Sequence, residues 1–193
     1  MNLPNKLTLL RILLIPFFMV VLLYPFNWGQ VTLLGSVIPS HYLLGALIFA
    51  VASFTDWLDG YIARKQGLVT NFGAFADPVA DKMLTMTAFI VLVGLNLAPA
   101  WVVSLIVMRE LAVTGLRLIV VETGGKVMSA ALPGKIKTSA QMLSILFLLL
   151  DDFPLAWTGL PIGIITLYIA LFFTLYSGID YFWNARHIFK HSM

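Results

Sequence analysis

Residues 42–97 read YLLGALIFAVASFTDWLDGYIARKQGLVTNFGAFADPVADKMLTMTAFIVLVGLNL. Two apolar runs, about Tyr42 to Ile62 and Phe72 to Leu97, each reach the roughly 20 residues that an α-helix needs to cross a bilayer. The connection from Lys65 to Phe72 is short, so the runs predict an antiparallel helical hairpin. Its polar exceptions are Asp56, Asp59, Asp77 and Asp81. A carboxylate costs roughly 2.5–3.5 kcal/mol at the centre of a membrane helix, so such residues are retained for a purpose or are paired.

Outward from the hairpin, four further apolar runs span about Leu9 to Tyr24, Trp101 to Val121, Ile136 to Leu150 and Leu160 to Ile188. Helix-ending signals separate the runs: Pro25, Asn96 to Pro99, Gly124-Gly125 with Pro133-Gly134, and Asp151 to Pro154. The whole chain of 193 residues is 60% apolar and 11% charged, with a mean hydropathy of +0.95. Soluble domains carry about 25% charge, so this composition excludes a water-soluble globule. The expected architecture is all-α, an integral membrane bundle of six transmembrane helices forming one domain over residues 1–193. The absence of cysteine excludes disulfides, thiolate metal sites and thiol catalysis.

Lys and Arg set the expected orientation, because positively charged loops stay cytoplasmic. Lys6 and Arg11 open the first run, Arg64 and Lys65 follow the second, Lys126, Lys135 and Lys137 lie around the fourth connection, and Arg186 and Lys190 close the last run. The connections 25–41, 96–100 and 151–159 contain neither residue. Both termini are therefore expected in the cytoplasm. A secretory signal is the rival reading of the N-terminus. No small-residue cleavage site follows the first run, where Tyr24-Pro25-Phe26-Asn27-Trp28 stands, so that run is expected to be a retained span.

At about 100° per residue, Asp56, Asp59, Gly60 and Ala63 share one face of the second helix, with Arg64 at its edge. Gly73, Asp77 and Asp81 share an arc of the third. Four anions in a low dielectric require protonation or cations. An all-carboxylate set without His or Cys suits a hard divalent ion, Mg²⁺ or Mn²⁺ before Ca²⁺. Four Asp could hold two ions, an arrangement that serves displacement at phosphorus. Gly60 leaves a side-chain-free patch where a nucleotide or diphosphate can approach the helix. Any one of these Asp could be a surface charge or a partner of Arg64, Lys82 or Arg109; four at matching phase beside two glycines are poorly explained that way. The stronger rival is a proton- or cation-coupled transporter, because membrane carboxylates also mark ion pathways.

The pattern Asp56-x-x-Asp59-Gly60-x-x-Ala63-Arg64, followed after residues 65–72 by Gly73-x-x-x-Asp77-x-x-x-Asp81, resembles the signature of the CDP-alcohol phosphatidyltransferases at every position. The six-run layout is similar to that family over nearly the whole chain. The resemblance implies divalent metal held by Asp56, Asp59, Asp77 and Asp81, with Asp81 also as general base, and a homodimer in the inner (plasma) membrane whose site faces the cytoplasm. Asn5-x-x-Thr8-x-x-Arg11, Arg109-Glu110 and Gly134-Lys135-Ile136-Lys137-Thr138 narrow the likeness to members that use glycerol 3-phosphate. The implied reaction moves a phosphatidyl group from CDP-diacylglycerol to sn-glycerol 3-phosphate and releases CMP. Inositol phosphate and phosphatidylglycerol are the alternative acceptors, and no nucleic-acid partner is expected.

The residues divide accordingly. Asn5, Thr8, Arg11, Gly60, Ala63, Arg64 and Gly73 are candidates for binding CDP-diacylglycerol, although Asn5 and Thr8 could simply cap a helix. Arg109, Arg117, Lys135 and Lys137 are candidates for the acceptor phosphate. Lys135 and Lys137 also read as membrane anchors. Asp151-Asp152 reads as an outside-facing loop pair, Asp180 pairs with Arg186 or a cation of the active cavity, and His41, His187 and His191 are isolated.

Overall fold

In a computed structural model, the backbone is described for residues 3–24, 28–33, 36–66, 71–122 and 132–190, and side chains for 5–24, 28–33, 36–56, 79–120, 133–184 and 186. Six α-helices lie among these residues: α1 (Leu3–Leu23), α2 (Ser40–Gln66), α3 (Asn71–Gly94), α4 (Ala100–Glu122), α5 (Leu132–Leu149) and α6 (Ile162–Lys190). Each expected apolar run coincides with one helix. Two stretches, Asn5–Leu23 and Ile162–Asn184, are long and apolar enough to cross a membrane by length and composition.

The connection 25–41, read from sequence as a loop, contains two short antiparallel strands, β1 (Gln30–Leu33) and β2 (Ser36–Pro39), with Val31 opposite Ile38. Ile38 is fully buried while Val37 is exposed, the alternation of a strand with one covered face. Segments this short carry too little periodicity to stand out beside helices of more than 20 residues.

Three connections meet at the end of the bundle that carries this hairpin. Helix α3 stops where Asn96 takes a left-handed φ of 60°; the Leu97 N–H then reaches back to the Leu92 carbonyl at 2.9 Å, and Asn96 N–H to Val93 at 3.0 Å. That is a Schellman closure with Asn in the place usually held by Gly. Helix α5 stops in the same manner, with Asp151 at φ 51° and Asp152 N–H bonded to the Phe147 carbonyl at 2.9 Å. Asp152 is therefore more than a loop charge. Its Oδ1 accepts the Gly163 N–H at 2.6 Å and satisfies a donor in the first turn of α6. Ser36 Oγ donates to the Asp151 carbonyl at 3.1 Å and ties the hairpin to this turn.

The core runs between the helices. Phe18, Phe49 and Phe89 are fully buried, and Phe18 and Phe49 meet with ring centroids 6.2 Å apart. Gly45 permits the close approach of α1 to α2, since a Cβ there would lie 2.6 Å from Leu22 Cδ2. The outer surface is apolar as well: Leu13, Phe17 and Val20 on α1, and Leu47, Val51 and Phe54 on α2, are all exposed. A continuous apolar exterior of this kind belongs against lipid or another protein. Between lipid-facing helices the hydrophobic effect adds little, so close packing of small residues such as Gly45, Ala46 and Ala52 carries the association.

Candidate active site

The polar groups gather at the end of the bundle opposite the hairpin, where α1, α3 and α5 begin and α2, α4 and α6 finish. On α1, Asn5, Thr8 and Arg11 are buried. Arg11 is fully enclosed, and its Nη1 lies 2.6 Å from Asp56 Oδ1 on α2. A guanidinium buried without an anion would be strongly destabilising, so this pair couples α1 to the first Asp of the motif. Helix α3 brings Asp81 to the same region, where Asp56, Arg11, Lys137 and Glu110 all act on it electrostatically. Asp81 Oδ1 is buried and has no hydrogen-bond partner among the described residues. Buried carboxylate oxygens are normally bonded.

A cationic wall faces Asp81. Glu110 Oε1 accepts from Arg109 Nη1 at 3.2 Å and from Lys137 Nζ, joining α4 to α5. The other arm of Arg109 donates from Nη2 to Ser177 Oγ on α6 at 2.8 Å. Gly178 makes room for this arginine: a Cβ there would lie 3.0 Å from both Arg109 Cγ and Nε. Lys82 Nζ donates to Thr114 Oγ1, which donates in turn to the Glu110 carbonyl at 2.6 Å. Arg117 lies over the Tyr181 ring, 5.8 Å from its centroid.

These groups enclose a cavity of about 230 Å³, with Asp81 and Lys82 from α3, Arg109, Glu110 and Arg117 from α4, and Lys137 from α5. Helix α6 closes it with Ser177, Asp180 and Tyr181. Of the cations singled out in the sequence, Arg109, Arg117 and Lys137 line this space with Asp81. Lys135 is exposed and does not. Asp59, Gly60, Ala63, Arg64, Gly73 and Asp77 have helical backbone, but their side chains lie outside the described residues. So do those of His187 and Lys190, and His191 and Lys126 altogether.

Among the described residues no group of three or more His, Cys, Asp or Glu could hold a metal ion. Two members of the Asp motif, Asp56 and Asp81, are described. The unpartnered buried oxygen of Asp81 and the purely carboxylate donor set fit a hard divalent cation.

Apart from Asp180, the sequence reading missed the contribution of α6 to the cavity. Thr174, Ser177 and Tyr181 recur at helical spacing on a very apolar helix, and α5 carries Thr138 and buried Gln141 in the same way. Gln141 Nε2 donates to Thr174 Oγ1 at 3.3 Å. A search for polar stripes as well as for charges would have found both faces. The open question about Asp180 is also narrowed. It lines the cavity, and its Oδ1 accepts from Asn184 Nδ2 at 3.1 Å. Arg186 lies over the Trp183 ring, 4.7 Å from its centroid.

A comparison with known families gives the class of protein. The family model for CDP-alcohol phosphatidyltransferases matches residues 1–176, and the chain belongs to that family of membrane-type enzymes. The chain is 51% identical over 187 residues to the CDP-diacylglycerol–glycerol-3-phosphate 3-phosphatidyltransferase of Bacillus subtilis, covering 95% of this chain and 96% of that protein. Proteins of the same name from Sodalis glossinidius and Salmonella paratyphi A are 39% and 40% identical, covering 99% and 96% of this chain and 99% and 95% of their own lengths.

Proposed function

We propose that the protein transfers the phosphatidyl group of CDP-diacylglycerol to sn-glycerol 3-phosphate, giving phosphatidylglycerophosphate and CMP. The observation that carries this reading is one small cavity lined by Asp81 together with Arg109, Arg117 and Lys137. A base beside a cluster of cations suits an acceptor that carries both a hydroxyl and a phosphate. The cavity, of about 230 Å³, has room for a small phosphate ester.

Arg109, Arg117 and Lys137 hold the acceptor phosphate, and Glu110 and Ser177 fix the Arg109 guanidinium in place. Asp81 takes the proton of the acceptor's 1-hydroxyl as its oxygen bonds to the β-phosphorus. The bond from that phosphorus to the bridging oxygen breaks, and CMP departs with the electron pair. Arg64 offsets the developing charge on CMP, and Asn5, Thr8, Gly60, Ala63 and Gly73 belong to the donor site. Asp56, Asp59, Asp77 and Asp81 would hold divalent metal, Mg²⁺ or Mn²⁺ and as many as two ions, which when bound supplies positive charge to the phosphoryl oxygens. Arg11 balances Asp56 from α1.

In the same reading the chain is one domain whose six helices all span the inner (plasma) membrane, with both termini and the site on the cytoplasmic side and a homodimer as the assembly. The distribution of Lys and Arg supports that orientation. A diacyl donor that stays in lipid and a water-soluble acceptor must meet at a membrane surface, and the polar end of the bundle provides such a place.

The test is CMP release by purified protein with CDP-diacylglycerol and Mg²⁺, across sn-glycerol 3-phosphate, inositol phosphate, serine and phosphatidylglycerol. Glycerol 3-phosphate is expected to give the highest rate. A higher rate with another acceptor overturns the acceptor assignment. Ion or solute movement in liposomes without CMP release would establish the transporter reading instead.

A further inference from the structure

We infer that Asp180 is a specificity-determining residue that accepts a hydrogen bond from the acceptor hydroxyl next to the reacting one, the 2-hydroxyl of glycerol 3-phosphate. The inference rests on the acceptor proposed above and assigns a role to a residue outside the Asp motif. Three groups of α6 reach the cavity, and each has a partner within the protein. Ser177 Oγ receives the Arg109 guanidinium at 2.8 Å, and the Tyr181 ring receives Arg117. Asp180 receives Asn184 Nδ2 at 3.1 Å. An ionised carboxylate has room for about four hydrogen bonds, so Asp180 keeps acceptor capacity at the cavity wall.

The charges around the cavity orient the ligand. Lys82, Arg109, Arg117 and Lys137 attract the phosphate, while Asp180 repels it. A small polyol phosphate therefore lies with its anionic end on the cations and its hydroxyls toward the two Asp residues at the cavity wall, Asp81 and Asp180. Asp81 takes the proton of the reacting hydroxyl, which leaves the neighbouring hydroxyl for Asp180. Asn184, one turn further along the helix, donates to the Asp180 side chain as well as to its carbonyl.

The experiment compares sn-glycerol 3-phosphate with 3-hydroxypropyl phosphate, which keeps the phosphate and the reacting hydroxyl and lacks the 2-hydroxyl. CMP release is measured for the wild type, Asp180→Ala and Asp180→Asn. A hydrogen bond to a charged group is expected to give the wild type a preference of roughly tenfold or more in kcat/KM for glycerol 3-phosphate. Asp180→Ala is expected to bring that ratio close to one by slowing glycerol 3-phosphate alone, and Asp180→Asn, which retains one acceptor oxygen, to fall between. Asp180 is exposed, so both variants should keep the wild-type thermal midpoint. An unchanged ratio, or an equal loss on both acceptors, overturns the role of Asp180 while leaving the acceptor proposal standing. Absence of CMP release by the wild type with either compound overturns the acceptor proposal and this assignment together.

Discussion

Asp56 and Asp81 reach the site from two consecutive helices within one compact motif, whereas Arg109, Lys137 and Ser177 come from three helices spread along the second half of the chain. The two halves are also held differently. The acidic half is tied to α1 by the ion pair of enclosed Arg11 with Asp56, and an oxygen of Asp81 is unpartnered among the described residues. The cationic half is cross-linked from α4 to both α5 and α6 through Glu110 and Ser177. In the proposed reaction the first half acts on the reacting group, and the second holds charges in place for the ligand.

The contrast predicts different kinetic failures, the largest on the acidic side. Asp81→Asn removes the proton acceptor and keeps the shape, so kcat is expected to fall by roughly 10²–10⁴-fold, with donor binding largely retained. Turnover at the wild-type rate would remove Asp81 as the base. On the cationic side, Arg109→Gln takes away a charge that bears on ground state and transition state alike. The acceptor KM is expected to rise roughly tenfold to a hundredfold, with a much smaller change in kcat. If instead kcat collapsed and KM held, Arg109 would belong with Asp81 and the division into two halves would fail.

The same division explains what could be read from the chain in advance. The Asp motif is local: its carboxylates recur at helical phase on neighbouring helices, so periodicity predicts a shared face on each helix, and the side chains of Asp56 and Asp81 are the two described. Arg109 and Arg117 were visible because an arginine in an apolar run is costly without a purpose. Their partners were not. Ser177 and Tyr181 are uncharged residues that become polar contacts of the cavity only when α6 packs beside α4, and Gly178 acquires its meaning from the arginine that crosses it. Arg11 was legible as a polar residue near the first helix start, but its pairing with Asp56 depends on the packing of α1 against α2. The hairpin at residues 30–39 escaped because its strands are too short to show a period.

Lys135 marks the edge of the cationic half and carries the smallest expected effect. It sits two residues before Lys137 on α5, a helical separation of about 200°, so the two lysines point to nearly opposite sides of the helix. Lys137 lines the cavity and bonds Glu110, whereas Lys135 is exposed at the polar end of the bundle, where a long side chain can reach lipid phosphates. Lys135→Ala is therefore expected to change the acceptor KM by less than about twofold, within the weak range of exposed charges. Any loss should depend on the anionic lipid content of the vesicles and vanish in neutral detergent. A rise in acceptor KM comparable to that of Arg109→Gln, independent of lipid, would place Lys135 in the phosphate site and extend the cationic half around α5.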